Sequence, residues 1–326
     1  MPIQEIPLTL AAGGYAIPAM LSLPGVAAPQ GGLLLVPGSL FADVNGDFPA
    51  WNVYPHVYAH LARQLAERGL AVYRFAKLGP GTGSEITDPD AAANIRTWAG
   101  RMTIARAALE AFRSALAERG ITVPRLVLAG HSEGAVVVSV MARDGVAADG
   151  VVLLAAPSVG ILDVMREQVP AQRPPEDREA IAVDLDRVIA AIRAGQPVPD
   201  ELRGREGIGG LAAMPPDGLR YMRECDATDP AAAIADFAGP VLIVHGGRDP
   251  NLGTHHAERL RAARGSRPTV MTIFPELQHM LKVLPPGITG QDAFALPGET
   301  DPRAAEAIVD WVCRLPGGGQ ARTGEG

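Results

Sequence analysis

What most constrains this chain is a repeated alternation of two kinds of segment. Short apolar runs recur at Leu33 to Val36, Ala71 to Phe75, Leu126 to Ala129, Val151 to Ala155, Val241 to Val244 and Val270 to Phe274. They are continuous rather than alternating, the pattern of strands buried on both faces. Between them lie stretches of helical periodicity, such as Val57, Leu61 and Leu65 before Gly69, and Ile104, Ala108, Phe112 and Leu116 before Gly120. Strand and helix in alternation predict an α/β fold: a mostly parallel central sheet flanked by helices, with ligands at the carboxyl ends of the strands. Ahead of it, Ile3 to Leu10 and Tyr15 to Leu23 read as an antiparallel pair closing one edge.

The alternation breaks between Ala156 and Pro240, which contains no convincing strand. A proline-rich entry, Val169 to Glu179, leads into the amphipathic stripe Ile181, Leu185, Val188, Ile189 and Ile192, which stops near Gly195. The reading is a helical cap, residues 157–238, inserted after the sixth strand between core segments 1–156 and 239–316. The glycine-rich residues 317–326 read as a disordered tail.

With 47% apolar residues in 326, the chain has ample material for a buried core. A net charge of -7 and the lack of any Lys/Arg cluster exclude a nucleic-acid footprint. An acidic residue, Glu5, stands where a secretory signal would be basic, and no apolar run reaches membrane-spanning length. The expectation is a soluble cytoplasmic protein with no membrane partner. Cys225 and Cys313 lie far apart with no Cys-x-x-Cys spacing, so free thiols rather than a zinc or redox site are expected.

Gly130-His131-Ser132-Glu133-Gly134 matches Gly-x-Ser-x-Gly. By composition alone roughly 0.1 such matches arise in a chain of this kind, so the motif gains weight from its setting. It follows a predicted strand and opens a predicted helix, the strand-turn-helix in which a strained turn exposes a serine hydroxyl. Small residues flank the serine because strand and helix nearly touch there. A serine hydroxyl needs a base, and the base needs an acid that holds its tautomer. Both are found downstream in loops after strands: Asp249 in Gly247-Arg248-Asp249-Pro250, and His279 in Leu277-Gln278-His279-Met280. The order serine, acid, histidine agrees with that chemistry. Oxyanion donors are expected from the Glu133 amide and from Ser39 or Leu40, where Gly38 lets the backbone approach closely.

Competing residues read as structural. His255 and His256 open a helix and are expected at an exposed helix N-terminus, His245 to pack at a strand end, and His131 to shape the turn beside Ser132. His56 and His60 have the i, i+4 spacing of a helical metal pair but no third ligand, so no metal site is expected. Gly79 to Ser84 has the composition of a phosphate loop but lacks the Gly-Lys-Ser/Thr ending that grips phosphate.

GHSEG, GGRDPNL and ELQHMLK in this order resemble the α/β-hydrolase superfamily, specifically the bacterial esterase or serine aminopeptidase-like branch, over nearly the whole chain. That group's first loop commonly reads Gly-Ser-Gly-Pro-x-Asp-Arg-Asp-Gly, and Gly38 to Gly46 keeps both ends and Asp43. Arg74 to Gly79 is similar to its Arg-Tyr-Asp-Lys-Arg-Gly, and Asp229-Pro230-Ala231 is shared. The departures are Leu40 for Gly, Phe41 for Pro, Ala76 for Asp and Leu78 for Arg. The resemblance implies the α/β-hydrolase fold and cleavage of short to medium acyl esters without a cofactor.

The combined expectation is a serine hydrolase acting on a small-molecule acyl substrate. Ser132 would be nucleophile, His279 base and Asp249 orienting acid, with Met214, Leu219, Tyr221 and Met222 of the cap lining the pocket. Thioesterase, lactonase and peptidase activity share this triad, and a non-catalytic ligand-binding homologue is the competing class.

Overall fold

The computed structural model describes residues 2–316 except Ala27 and Thr289, so the tail expected at 317–326 lies outside the described residues. Nine strands form one sheet: β1 Gln4–Ala12, β2 Tyr15–Leu23, β3 Gly31–Val36, β4 Leu70–Phe75, β5 Glu85–Ile86, β6 Leu126–His131, β7 Gly150–Leu154, β8 Val241–Gly246 and β9 Thr269–Phe274. Their spatial order is β1-β2-β4-β3-β6-β7-β8-β9, with β5 beside β2. From β4 to β9 the neighbours are parallel, while β1 and β2 run antiparallel at the edge. The unexpected β5 pairs only Tyr15 with Ile86 and Ala16 with Glu85, too short to leave a periodicity, so the helical insertion follows the seventh strand rather than the sixth.

The helices are α1 Val57–Glu67, α2 Pro89–Ile95, α3 Trp98–Ala117, α4 Glu133–Arg143, α5 Ile161–Ala171, α6 Arg178–Ala194, α7 Gly209–Ala212, α8 Pro216–Asp226, α9 Pro230–Asp236, α10 His255–Ala263, α11 Gly290–Phe294 and α12 Pro302–Arg314. The sheet is covered on both faces. Leu34, Leu128, Leu153 and Ile243 point to the layer of α3 and α4, and their neighbours Leu33, Val127, Val152 and Leu242 to that of α1 and α12. Each such side chain contributes about 1.5–3 kcal/mol by leaving water. The expected two-sided burial holds for β3, β4, β6, β7 and β8 and fails for β9, an edge strand whose Val270 is 48% exposed.

Between β7 and β8, α6 ends on Gly195 in the left-handed conformation, where the sequence places its stop. Its Leu185, Val188, Ile189 and Ile192 pack with Leu162 and Leu211 into a cluster separate from the sheet layers. By contrast α9 packs against α4 and α10, putting Ala233 and Ile234 in the main core. Among the described residues no helix is long and apolar enough to cross a membrane.

Candidate active site

Ser132 sits between β6 and α4 with φ 54° and ψ -122°, a conformation that non-glycine residues rarely adopt. The flanking glycines make this turn sterically feasible. A Cβ at Gly130 would lie 2.1 Å from the Gly134 carbonyl oxygen, and one at Gly134 would lie 2.3 Å from that of Val36. The Ser132 N–H donates to the Leu154 carbonyl at 2.9 Å, leaving the side chain on the rim of a cavity of about 420 Å³.

His279, in the loop after β9, lines the same cavity. Its Nδ1 lies 2.7 Å from Asp249 Oδ2, and the Asp249 side chain is fully buried. A carboxylate accepts only, so Nδ1 carries the proton and Nε2 keeps its lone pair. The other oxygen of Asp249 accepts from the Asn251 and Leu252 amides at 2.8 and 3.0 Å. Burial pushes the Asp249 carboxyl up, but the His279 contact overcomes it and holds the group below its ordinary value. Among the described residues no hydrogen bond joins the Ser132 hydroxyl to His279, though both face one cavity. Catalytic hydrogen bonds often close only when substrate is present.

The loop after β3 passes close to the serine: a Cβ on Gly38 would stand 3.2 Å from that of Ser132. Leu40 has φ 65°, a conformation open to glycine at no cost, so the loop keeps a glycine-like backbone with leucine in place. Among the described residues the Ser39, Leu40 and Glu133 amides donate to no protein acceptor, and all three residues line the cavity. Two buried contacts fix the loop. Gly38 N–H donates to the Tyr58 hydroxyl at 2.7 Å, and Arg101 donates to the Pro37 carbonyl at 2.5 Å.

Tyr58 in turn meets His131 Nδ1 at 3.1 Å, while His131 Nε2 lies 2.9 Å from the His279 carbonyl. Because a carbonyl only accepts, His131 Nε2 bears the proton, Nδ1 accepts, and Tyr58 donates to it. Burial lowers the His131 pKa to about 3 and raises that of Tyr58. Both groups are neutral, and one chain of bonds ties the oxyanion loop, the serine turn and the histidine loop together.

Glu133, after the serine, carries a buried ion cluster. Its Oε1 is 2.7 Å from Lys77 Nζ, 3.5 Å from Arg101 Nε and 2.9 Å from the Tyr221 hydroxyl. Burial pushes the Glu133 carboxyl up, and Lys77 and Arg101 overcome it and hold it below the ordinary carboxylate range. Tyr221 is therefore a strut between α8 and α4 and not a pocket wall. Met214, Leu219 and Met222 also miss the cavity, packing into the cap's own apolar cluster. The cavity is walled instead by Ile161, Val164 and Gln168 of α5, together with Phe48, Met280 and Phe294. Amphipathicity marks which cap residues are buried, but not which neighbour buries them.

One cluster has metal-ligand composition: donor atoms of Glu167, His255 and His256 lie within 4.8 Å of one another. His256, expected at an exposed helix end, is 1% exposed. Its Nδ1 accepts from the Ser158 N–H at 3.1 Å, which puts the proton on Nε2, 3.2 Å from Glu167. A protonated Nε2 cannot ligate, and Glu167 of α5 instead accepts from His255 Nε2 of α10 at 2.9 Å.

Residues 33–286 match the Alpha/beta hydrolase family. The chain belongs to that family. No curated protein matches it in sequence. Among solved structures this alpha/beta hydrolase is similar to an esterase of Pyrococcus furiosus, at TM-score 0.57 and 10% identity over 97% of this chain and 92% of that one. It is also similar to an esterase domain from Rhodothermus marinus, at TM-score 0.54 and 16% identity over 97% and 99%. A proline iminopeptidase of Mycobacterium smegmatis gives TM-score 0.55 and 17% identity over 94% and 97%. These likenesses show the shared hydrolase fold.

Tyr58, Lys77 and Arg101 are the residues around this site whose roles the sequence does not announce. Tyr58 lies on the buried stripe of α1, where a tyrosine hydroxyl needs a partner, but that partner is 73 positions away.

Proposed function

We propose that this alpha/beta hydrolase cleaves carboxylic esters of short to medium acyl length through an acyl-enzyme on Ser132. The observation that carries the reading is the buried Asp249–His279 pair at 2.7 Å, which leaves His279 Nε2 as an acceptor in the cavity that Ser132 also borders. His279 takes the Ser132 proton as the hydroxyl oxygen adds to the substrate carbonyl. The carbonyl oxygen becomes an oxyanion held by the Glu133 amide and by that of Ser39 or Leu40, amides with no other acceptor. Collapse expels the alcohol, which takes the proton back from His279. Water then attacks the acyl-serine by the same steps, releasing acid and restoring the serine.

A fluorophosphonate probe should label Ser132 in the folded protein, and p-nitrophenyl esters should be hydrolysed by the wild type but not by Ser132→Ala. Full activity in Ser132→Ala would refute the assignment. The likeness to an iminopeptidase makes aminoacyl amides the second substrate class for the same panel.

A further inference from the structure

The geometry points to a carboxylate on the substrate, recognised by Arg173 on the wall of the Ser132 cavity; this deepens the ester-hydrolase reading and rests on it. Five charged or titratable side chains border that cavity: Tyr58, His131, Glu133, His279 and Arg173, of which Tyr58 and His131 are neutral and hydrogen-bonded to each other. Glu133 is neutralised by Lys77 and Arg101 behind it, and His279 is engaged through Nδ1 with Asp249. Arg173 is not neutralised. Its backbone is engaged, N–H to the Pro170 carbonyl and carbonyl to Arg178, both at 3.0 Å. Among the described residues its guanidinium meets no carboxylate, and its Nε is buried with no hydrogen-bond partner. Gly207, whose Cβ would stand 3.4 Å from that Nε, leaves the space in which the head group lies.

The neighbouring polar groups are donors as well. Gln172 Nε2 donates to the Pro250 carbonyl at 3.3 Å and to Asn251 Oδ1 at 2.8 Å. The carbonyl can only accept, which fixes Gln172 as donor and Asn251 Oδ1 as acceptor, and leaves the Asn251 NH₂ without a partner among the described residues. The Gln168 side-chain amide also lacks one among the described residues, and all three residues line the cavity. A guanidinium fork matches a planar carboxylate at two points, and amide N–H groups beside it can donate to the same oxygens. Charge reinforces the match. Glu133 is offset from behind by Lys77 and Arg101, so among the described residues Arg173 is the charge on the cavity wall that no opposite charge meets. Phe48, Ile161, Val164, Met280 and Phe294 make other parts of the lining apolar, so the ligand that fits both kinds of surface is a half-ester with a hydrocarbon spacer.

The test compares matched charged and neutral esters. On the acyl side, p-nitrophenyl hydrogen adipate and suberate are set against p-nitrophenyl hexanoate and octanoate. On the alcohol side, 4-butyryloxybenzoate is set against phenyl butyrate. In at least one arm the wild type should favour the charged ester at least tenfold in kcat/KM. Arg173→Gln should collapse that ratio toward one, and Arg173→Lys should retain part of it. Binding of monomethyl adipate to Ser132→Ala, measured by calorimetry, should weaken at least tenfold when Arg173→Gln is added. Equal handling of charged and neutral esters in both arms, or a preference that survives Arg173→Gln, overturns the proposal. If no ester turns over while monomethyl adipate still binds through Arg173, the anion site stands and the ester-hydrolase reading fails.

Discussion

His131 donates through Nε2 to the backbone carbonyl of His279 at 2.9 Å, so the residue before the proposed nucleophile holds the main chain of the proposed base. The loops at 38, 131 and 279 come from three separate strands, and nothing local sets their spacing. Tyr58 completes the connection by accepting from Gly38 and donating to His131. Positioning of this kind costs little, because every member is neutral and satisfied, but losing one partner strands two others in a buried site.

Tyr58→Phe should therefore lower stability by about 2 kcal/mol, the order expected when buried donors lose a partner. It should also lower kcat about tenfold, because the loop carrying the Ser39 and Leu40 amides loses one of its two anchors. Urea unfolding and ester kinetics on the same preparation check both. A stability loss with unchanged kcat would confine the hydroxyl to the fold.

Asp249→Asn should reduce kcat by about 10⁴-fold with little change in KM. The asparagine NH₂ would face His279 Nδ1 and turn it into an acceptor, which protonates Nε2 and removes the base. Steady-state kinetics measure the effect.

The loops that carry the proposed triad were legible because their constraints are local. Gly130 and Gly134 are demanded by contacts of about 2 Å that any side chain would break, and Asp249 and His279 each follow a strand of continuous apolar residues. Legibility ends where partners come from afar. Nothing near Lys77 in sequence announces Glu133, and nothing in Tyr221 or Met222 tells a strut or a core residue from a pocket wall. Likewise β5 pairs only two residues, and His256 is buried by a contact to Ser158, 98 positions away.

Acidification should destabilise the fold well before general carboxylate titration. Burial lowers the pKa of His131 to about 3 and that of His256 to about 4, against about 6.5 for an unfolded histidine. Between those values the unfolded chain binds protons that the folded chain refuses. Their stabilising contribution is present in full above about pH 6.5 and shrinks by about 1.4 kcal/mol per pH unit for each group below it. Asp249, held below its ordinary pKa, works in the same direction at lower pH. Urea unfolding at pH 7.5, 6 and 5 should show this slope, and His131→Gln should flatten it by about one group's share.

Gly134→Ala should abolish soluble folded protein or cost more than about 4 kcal/mol. The added methyl would meet the backbone oxygens of Val36 at 2.3 Å and Pro37 at 2.5 Å, neither of which can rotate away. Gly145→Ala is the control for glycine content alone, since nothing lies within 4 Å of its Cβ; its φ of 80° limits the loss to backbone strain. Yield and thermal melting should separate the two.

Lys77 and Glu133 should show strong coupling in a double-mutant cycle. Lys77→Met leaves the Glu133 carboxylate with Arg101 at 3.5 Å as its remaining cation, and should cost about 3 kcal/mol. Glu133→Gln leaves Lys77 and Arg101 as two buried cations without a counter-charge, and should cost at least as much. With both changes one cation faces a neutral amide that can still accept from Tyr221, so the combined loss should fall short of the sum by about 2 kcal/mol. Chemical denaturation of the four proteins measures it. Simple additivity would mean that Glu133 is held by Arg101 and Tyr221 alone, and that the 2.7 Å contact with Lys77 adds nothing to the base beneath Ser132.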